Sequence, residues 1–293
     1  MCIILTHVES VSNTQIYVSS SKKRTRQLTV YSNQVETHVK NAMILPVPNP
    51  LSVKLLNFSH YTNIFEDCRE CFHYDDGSMK NGRLYRSSLS ASAEHRPPLP
   101  VYTVGSYQAS IVPSIDDFDR VNTQILRVNP EVFKLLKDTY DPSFGFLICQ
   151  LREGSHHYHP FAYTHMIHKS KLLFVPTLHY HLGEKNVTSD WDHTIYSPMT
   201  DLYTTGNYTF KDTHAVDWNK MPEDYRWPSE GRFTLNRHSI TGYKKNQDLW
   251  IKNLLSDTDV KPNTRVFPPR SSSPTDEFFT DSDFAKNLRG AFR

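Results

Sequence analysis

Histidine is concentrated in one part of this 293-residue sequence, where eight of its 15 histidines fall between residues 156 and 193. Two of them, His179 and His181, follow the apolar segment Leu172–Thr177. If the strand predicted there extends, its two-residue period places both imidazoles on one face. Imidazole nitrogens that converge in this way are common ligands of Zn or Fe. The spacing therefore predicts a metal site beyond this strand.

Acidic residues and a further histidine follow the pair at a distance that a short loop can span. With an open coordination position, a site built from them would activate water. The two-histidine spacing resembles the start of cupin and metallo-β-lactamase-like motifs, but the residues that follow differ from both. The alternative is that these histidines pack and form hydrogen bonds in an aromatic-rich interior. The candidates for the remaining ligands are Glu184, Asp190, Asp192 and His193.

The four cysteines are Cys2, Cys68, Cys71 and Cys149, which are too few and too widely spaced to predict a disulfide framework. Cys68 and Cys71, with His73 two residues further on, have the spacing of half of a zinc site. The sequence contains no second C-x-x-C. We therefore interpret this pair as structural thiols.

Cys2 could do a different kind of chemistry. If Met1 is removed, Cys2 carries a free α-amino group, which can act as the base for its own thiol. The opening residues Met1-Cys2-Ile3-Ile4 resemble the start of N-terminal-nucleophile amidohydrolases. That resemblance implies an amidohydrolase with Cys2 as its nucleophile. A buried cysteine at the start of a strand is the alternative explanation.

Composition argues against several other kinds of site. The 33 basic and 31 acidic residues leave a net charge of +2, which argues against a dedicated nucleic-acid or polyanion binder. Only ten glycines are present, and neither glycine-rich phosphate-binding motif occurs. No segment approaches the roughly 18–20 apolar residues of a membrane span, and signal-peptide features are missing. We therefore expect a cytoplasmic protein without nucleic-acid or membrane partners.

The elements that must hold these residues are mostly strands. Short segments rich in β-branched and aromatic residues predict strands in both halves of the chain. In the first half they are Cys2–Val8, Gln15–Ser20, Gln27–Tyr31 and Ala42–Val47, where the prolines at 46, 48 and 50 predict that the chain leaves the sheet. In the second half they are Phe144–Leu151, Phe161–Ile167, Leu172–His179 and Thr194–Ser197.

Helices are predicted at fewer places. Ser114 with Asp117 has the pattern of a capping box, and Asn129-Pro130-Glu131 is a second helix start. A helical turn near Ile64–Cys68 and a helix over Gln247–Leu255 are also predicted, whereas Leu51–Phe58 fits a strand or a short helix. The predicted fold class is therefore β-rich α+β, with antiparallel sheets in a sandwich or barrel-like core and two or three short inserted helices.

We predict one globular domain over residues 1–256, with strand clusters 1–72 and 101–256 joined by a long loop over 73–100. Residues 257–293, which are rich in proline and serine, are predicted to be a flexible tail.

The high aromatic content and scarce glycine favour a non-catalytic intracellular binding, structural or assembly protein, with a protein partner or a homo-oligomer. The alternatives are a metal-dependent enzyme around His179 and His181, and an amidohydrolase that uses Cys2.

Overall fold

The computed structural model describes residues 3–5, 8–39, 41–72, 98–121, 130–151, 154–168, 172–180, 187–200, 215–227, 233–253, 255 and 278–280. These residues form three sheets and only short helices. The predicted β-rich α+β class is confirmed, and the observed sheets are antiparallel or mixed. Among these residues, no helix is both long enough and apolar enough to cross a bilayer.

The first sheet has five antiparallel strands in the order β1-β4-β8-β7-β6. Pro46 and Pro48 lie inside β4, although the sequence predicts that the chain leaves the sheet there. Among the described residues, β1 pairs only with Met43 and Ile44, so that both prolines have a described neighbour only in β8, and a missing N–H is tolerated at such an edge. The strands are β1 (Ile3–Ile4), β4 (Asn41–Pro48), β8 (Phe144–Leu151), β7 (Tyr107–Val112) and β6 (Tyr102–Val104).

The second sheet has seven strands in the order β13-β12-β2-β3-β10-β5, with β9 also paired to β3. All pairs are antiparallel except β12 with β2. Strands from both predicted clusters thus pair within the same sheet. The strands are β13 (Phe233–Lys245), β12 (Thr188–Thr200), β2 (Ser10–Ser20), β3 (Arg26–Thr37), β10 (Phe161–Met166), β5 (Lys54–Leu56) and β9 (Gly154–His157).

The third sheet contains β11 (Leu172–Val175), β14 (Leu249–Lys252) and β15 (Phe278–Thr280). The helix predicted over Gln247–Leu255 is wrong, because its centre forms β14 and pairs with β11. β15 pairs with β14, so a short part of the predicted tail belongs to a sheet. The other residues of the tail lie outside the described residues, as do residues 73–97 of the predicted loop.

Apolar side chains fill three layers. The central core lies between the first two sheets and includes Leu45, Leu147, Ile16 and Ile195. The opposite face of the first sheet packs on α2 (Pro130–Thr139) and a 3-10 helix over Ile115–Arg120, which follows Ser114 where a helix is predicted. The opposite face of the second sheet packs on α1 (Ile64–Glu70) and on residues 215–225.

Candidate functional site

Two histidines and a tryptophan are in contact in the interior. The ring centroids of His179 and His193 lie 4.9 Å apart, with their planes at 19°. The Trp191 ring lies 5.3 Å from His179 and 4.7 Å from His193. All three side chains are buried. We call these three residues the histidine cluster, and it brings together two of the predicted metal ligands.

Two side chains just before β14 position His179. The His179 N–H donates to Asn246 Oδ1 at 2.7 Å, and Asn246 Nδ2 donates back to the His179 carbonyl at 2.8 Å. Asp248 Oδ1 accepts the N–H groups of Thr177 and Leu178 at 2.7 and 2.8 Å. These side chains satisfy backbone groups that no strand satisfies there. On β12, the two-residue period places Trp191 and His193 on the same face.

The beginning of the chain lies beside the same segment. Ile3 forms a parallel bridge with Tyr180, and the Ile4 N–H donates to the Tyr180 carbonyl at 2.8 Å. Burial holds the pKa of His193 well below its ordinary value, and the positive charges of the amino terminus and of His179 lower it further. His193 is therefore neutral at pH 7, which is the form of imidazole that binds metal ions.

Of the other predicted ligands, Asp192 lies beside the cluster, with its Oδ1 3.8 Å from His193 Nδ1. Asp190 is exposed on β12, and His181 and Glu184 lie outside the described residues. Within the described part of the chain, no group of three histidine, cysteine or acidic side chains is arranged to hold a metal ion. A metal site of Zn or Fe therefore stays a prediction, and it depends on His181.

The second carboxylate oxygen of Asp192 accepts a hydrogen bond from the backbone of β2. Asn13 lies in a β-bulge of β2, where the pairing with β3 shifts between Ser12 and Gln15, and its φ of 52° is left-handed. Asp192 Oδ2 accepts the N–H of Asn13. A residue in a bulge does not form the regular hydrogen bonds between strands, so the Asp192 carboxylate accepts the Asn13 N–H that would otherwise lack an acceptor.

The two spaced cysteines lie on or beside α1 as buried thiols outside any disulfide. Cys71 Sγ donates to the Asp67 carbonyl at 3.4 Å. Burial raises the pKa of Cys68 well above its ordinary value. Both features fit the structural interpretation of this pair. Cys2 and His73 lie outside the described residues, so the amidohydrolase and zinc interpretations stay predictions.

A buried carboxylate on α1 was not found from the sequence. Asp67 accepts hydrogen bonds from Tyr61 Oη and Asn63 Nδ2, both at 2.8 Å. Tyr61 Oη in turn accepts the N–H of Asp217 at 2.8 Å. Burial raises the pKa of Asp67, although both hydrogen bonds oppose that change. The network ties α1 to a segment about 150 residues away, which local sequence patterns do not reveal.

His159 fastens the turn between β6 and β7. Its Nε2 accepts the Ser106 N–H, and its Nδ1 donates to the Pro160 carbonyl, both at 2.9 Å. A backbone N–H can only donate and a carbonyl can only accept, so the ring is the neutral Nδ1–H tautomer. Gly105 has a φ of +59°, and a Cβ there would lie 2.0 Å from His159 Nε2. For this histidine, the predicted packing and hydrogen-bonding role is the observed one.

Large apolar side chains are exposed where β12 begins and its partner β13 ends. β12 pairs with β2 only from His193 onward, so its earlier residues pair with β13 alone among the described strands. The Asn246 N–H closes this end by donating to the Val187 carbonyl at 2.9 Å. We call residues 187–190 and 241–245 the outer ribbon. Tyr243 is 78% exposed and Val187 is 81% exposed.

Comparison with known proteins gives one kind of structural neighbour. No protein-family model matches the sequence. The crystal structure of baculovirus P35 matches with a TM-score of 0.46 and 12% identity, over 85% of this chain and 98% of that chain. The caspase-8/P35 complex matches with a TM-score of 0.37 and 9% identity, over 84% and 89% of the two chains. Because these TM-scores are below 0.5, we draw no argument from the likeness.

Proposed function

We propose that this chain is a non-catalytic protein-binding protein that holds an extended segment of its partner along the outer edge of β13. The observation that supports this proposal is the exposure of Tyr243 on an outermost strand. Among the described residues, β13 pairs with β12 alone. An open edge offers unpaired N–H and C=O groups, to which a partner strand can add with side chains alternating between its two faces.

The charges of the outer ribbon favour an acidic partner segment. Lys244 and Lys245 are exposed beside Tyr243 on β13, which contains no acidic residue. They outnumber Asp190, the exposed acidic residue of the ribbon, which pairs with Tyr243 from β12. Pairing with a second copy of β13 would bring lysines of both copies onto one short ladder, and like charges across a ladder are destabilising. A hetero-partner with carboxylates therefore fits this edge better than a homo-oligomer does.

Tyr243 is the expected anchor of the interface. An aromatic side chain buries about 150–250 Å² when it is covered, and tyrosine is enriched among residues whose truncation costs about 2 kcal/mol or more. Gly242 has a φ of +77°, and a Cβ there would meet nothing within 4 Å. The ribbon thus leaves space around the anchor for a partner strand.

The test uses a fluorescein-labelled peptide of alternating glutamate and valine, followed by fluorescence anisotropy and by hydrogen exchange of the β13 amides. We expect bound peptide to slow exchange along β13, and Tyr243→Ala to weaken binding at least tenfold. The matched control is Tyr102→Ala, because Tyr102 is 42% exposed on β6, which is an outer strand of the first sheet among the described residues. Unchanged exchange in β13, or equal effects of the two substitutions, would contradict the proposal.

Caspase-8 is a second probe, because a P35 chain was solved in complex with it. Binding of caspase-8 that depends on Tyr243 would identify a partner. Binding of caspase-8 that Tyr243→Ala leaves intact would support protein binding but would contradict its placement on β13.

A metal-dependent function is the second candidate, and the contact between His179 and His193 is the observation that favours it. His181 would supply the third imidazole. Elemental analysis of the purified protein tests this candidate directly, since a resident metal ion would be present in a stoichiometric amount. A stoichiometric amount of metal in both the wild type and Tyr243→Ala would favour the metal-dependent enzyme.

A further inference from the structure

Four segments meet at one end of the second sheet, at the edge opposite to β13. They are the turn between β2 and β3, the end of β10, the 3-10 helix Pro50–Ser52 and the start of β5. Met166 pairs with Arg26, and Thr164 pairs with Lys54. The Ile167 N–H donates to the Thr25 carbonyl at 2.9 Å, which fastens the turn to the segment that follows β10.

Two apolar side chains are exposed at this end. Leu51 is 88% exposed and Met166 is 52% exposed. The Met166 N–H donates to Ser52 Oγ at 2.8 Å, and Asn49 Nδ2 donates to the Met166 carbonyl at 3.1 Å. Both apolar residues therefore stand on backbone that hydrogen bonds hold in place, so little conformational entropy is lost when a partner covers them.

Basic residues surround this apolar pair. Lys22, Lys23 and Lys54 are exposed, and Arg24 and Arg26 are half-buried. Glu223 and Asp224 are the acidic residues nearby, since the Lys22 N–H donates to the Asp224 carbonyl at 2.8 Å. The described residues of the four segments, with Arg26 at the start of β3, thus contain five cations and no acidic residue. We call Leu51, Met166 and the five cations the basic corner.

Arg26 is held rigidly within the basic corner. Its Nη2 donates to the Ser52 carbonyl at 2.6 Å and to Thr164 Oγ1 at 3.0 Å. These two bonds use both hydrogens of Nη2 and fix the plane of the guanidinium, and the Tyr225 hydroxyl is a further partner of Arg26. A guanidinium held in this way can donate one more hydrogen bond to a carboxylate oxygen without a further loss of side-chain freedom.

We propose that the basic corner binds an acidic segment of a partner protein that carries an apolar side chain between its carboxylates. The carboxylates contact Arg26, Lys54 and the lysines of the turn, and the apolar side chain covers Leu51 and Met166. β5 is the outermost of the described strands at this edge and has only three residues, so the segment gains a short stretch of backbone pairing as well. This proposal does not rest on the outer ribbon, because the two surfaces lie at opposite edges of the sheet.

A protein segment fits this surface better than a lipid surface does. Arg26 is half-buried beside Thr164 within the sheet, where an extended chain entering along β5 can reach it. A flat layer of headgroups would meet Leu51 and the lysines of the turn and would leave the guanidinium of Arg26 unused. Anionic vesicles therefore serve as the discriminating probe.

The test uses a fluorescein-labelled peptide in which leucines alternate with aspartate and glutamate, measured by fluorescence anisotropy. We expect the double substitution Lys22→Glu/Lys23→Glu and the single substitution Leu51→Asp each to weaken binding at least tenfold. Arg26→Lys keeps the charge but loses the planar fork, so it is expected to weaken binding several-fold. All these variants except Arg26→Lys change exposed side chains, and circular dichroism checks that each one folds.

The variants are compared in a Tyr243→Ala background, which removes binding at the outer ribbon. The matched control is Lys134→Glu/Lys137→Glu on α2, which makes the same charge change at two exposed residues elsewhere and is expected to leave this affinity unaltered. Binding should fall as salt rises from 50 to 300 mM, since exposed charges are screened over about 10 Å or less in that range. Equal binding of a lysine–leucine peptide would overturn the proposal, as would corner variants that bind like the wild type. Binding to phosphatidylserine vesicles without binding to the peptide would overturn it in favour of a lipid surface.

Discussion

Acidification should destabilise this protein through histidines that are buried in their neutral form. Burial lowers the pKa of His165 and of His238 to about 4 each. In the unfolded chain both return to an ordinary value near 6.5. Between these values the unfolded chain binds a proton that the native protein does not bind. The free energy of unfolding therefore falls as the pH decreases from 6.5 towards 4.

The magnitude follows from the two pKa values. Each histidine contributes about 1.4 kcal/mol per pH unit within that range, and about 3 kcal/mol in all by pH 4. Two such residues together reach about 6–7 kcal/mol, which is comparable to the entire stability of many domains. The pKa of His193 is lowered as well, so it acts in the same direction.

His238→Gln is the variant that isolates one contribution. Asn236 Nδ2 lies within hydrogen-bonding distance of His238 Nε2 and donates to it, and the amide oxygen of glutamine can accept the same bond. Urea unfolding at several pH values from 7.5 to 5 gives the free energy of unfolding by linear extrapolation. We expect the pH dependence of the variant to be shallower than that of the wild type by about 1.4 kcal/mol per pH unit.

The control is Ser239→Gln, because Ser239 is exposed on the same strand as His238 and carries no titratable group. It should leave the pH dependence as it is in the wild type. Carboxylates also titrate towards the acid end, but they cancel in the difference between the wild type and a variant. A His238→Gln protein with the full wild-type slope would refute the reasoning, as would a wild type equally stable at pH 7 and pH 5.

Three further predictions concern the other sites. Gly105→Ala should lower the free energy of unfolding in urea by about 3 kcal/mol or more, because the new Cβ meets His159 and φ is left-handed. Gly242→Ala should lower it by about 1 kcal/mol, since it adds only backbone strain. Equal losses in the two variants would contradict this. If the metal candidate is right, elemental analysis finds zinc or iron in the wild type and none in His179→Ala/His181→Ala, and a wild type without metal would end the metal hypothesis. Cys68→Ser/Cys71→Ser should lower stability by about 1–3 kcal/mol per buried hydroxyl without changing the metal content, and a loss of zinc would show a metal-binding pair.

The strands were predictable where the residues alone favour extended backbone. β4 and β8 have near-continuous apolar runs, and both form where the sequence predicts them, within a few residues. β14 was missed because its apolar residues also fit a helical spacing. Its pairing with β11, about 75 residues earlier in the chain, decides the outcome. No pattern in the sequence around β14 reveals this pairing with β11.

The histidine cluster was predictable only in part. His179 and His193 are close in sequence, so the sequence does indicate that a short connection can bring them together. The stacking on Trp191 and the hydrogen bonds to Asn246 depend on how the sheets pack, and Asn246 lies 67 residues away in sequence. Asp192 was considered as a metal ligand, whereas its observed partner is a backbone N–H in a bulge of β2. Bulges leave little trace in a pattern of apolar residues.

Net charge and charge distribution lead to different conclusions about partners. A net charge of +2 argues against a polyanion partner when the chain is treated as one sum. The fold, however, brings Lys22, Lys23, Arg24 and Arg26 next to Lys54, although β3 and β4 separate these two segments along the chain. A partner meets this local arrangement, since screening limits exposed charges to a range of about 8 Å at physiological salt. The sequence composition therefore excludes a protein coated in positive charge, but it leaves room for one basic surface that selects an acidic segment.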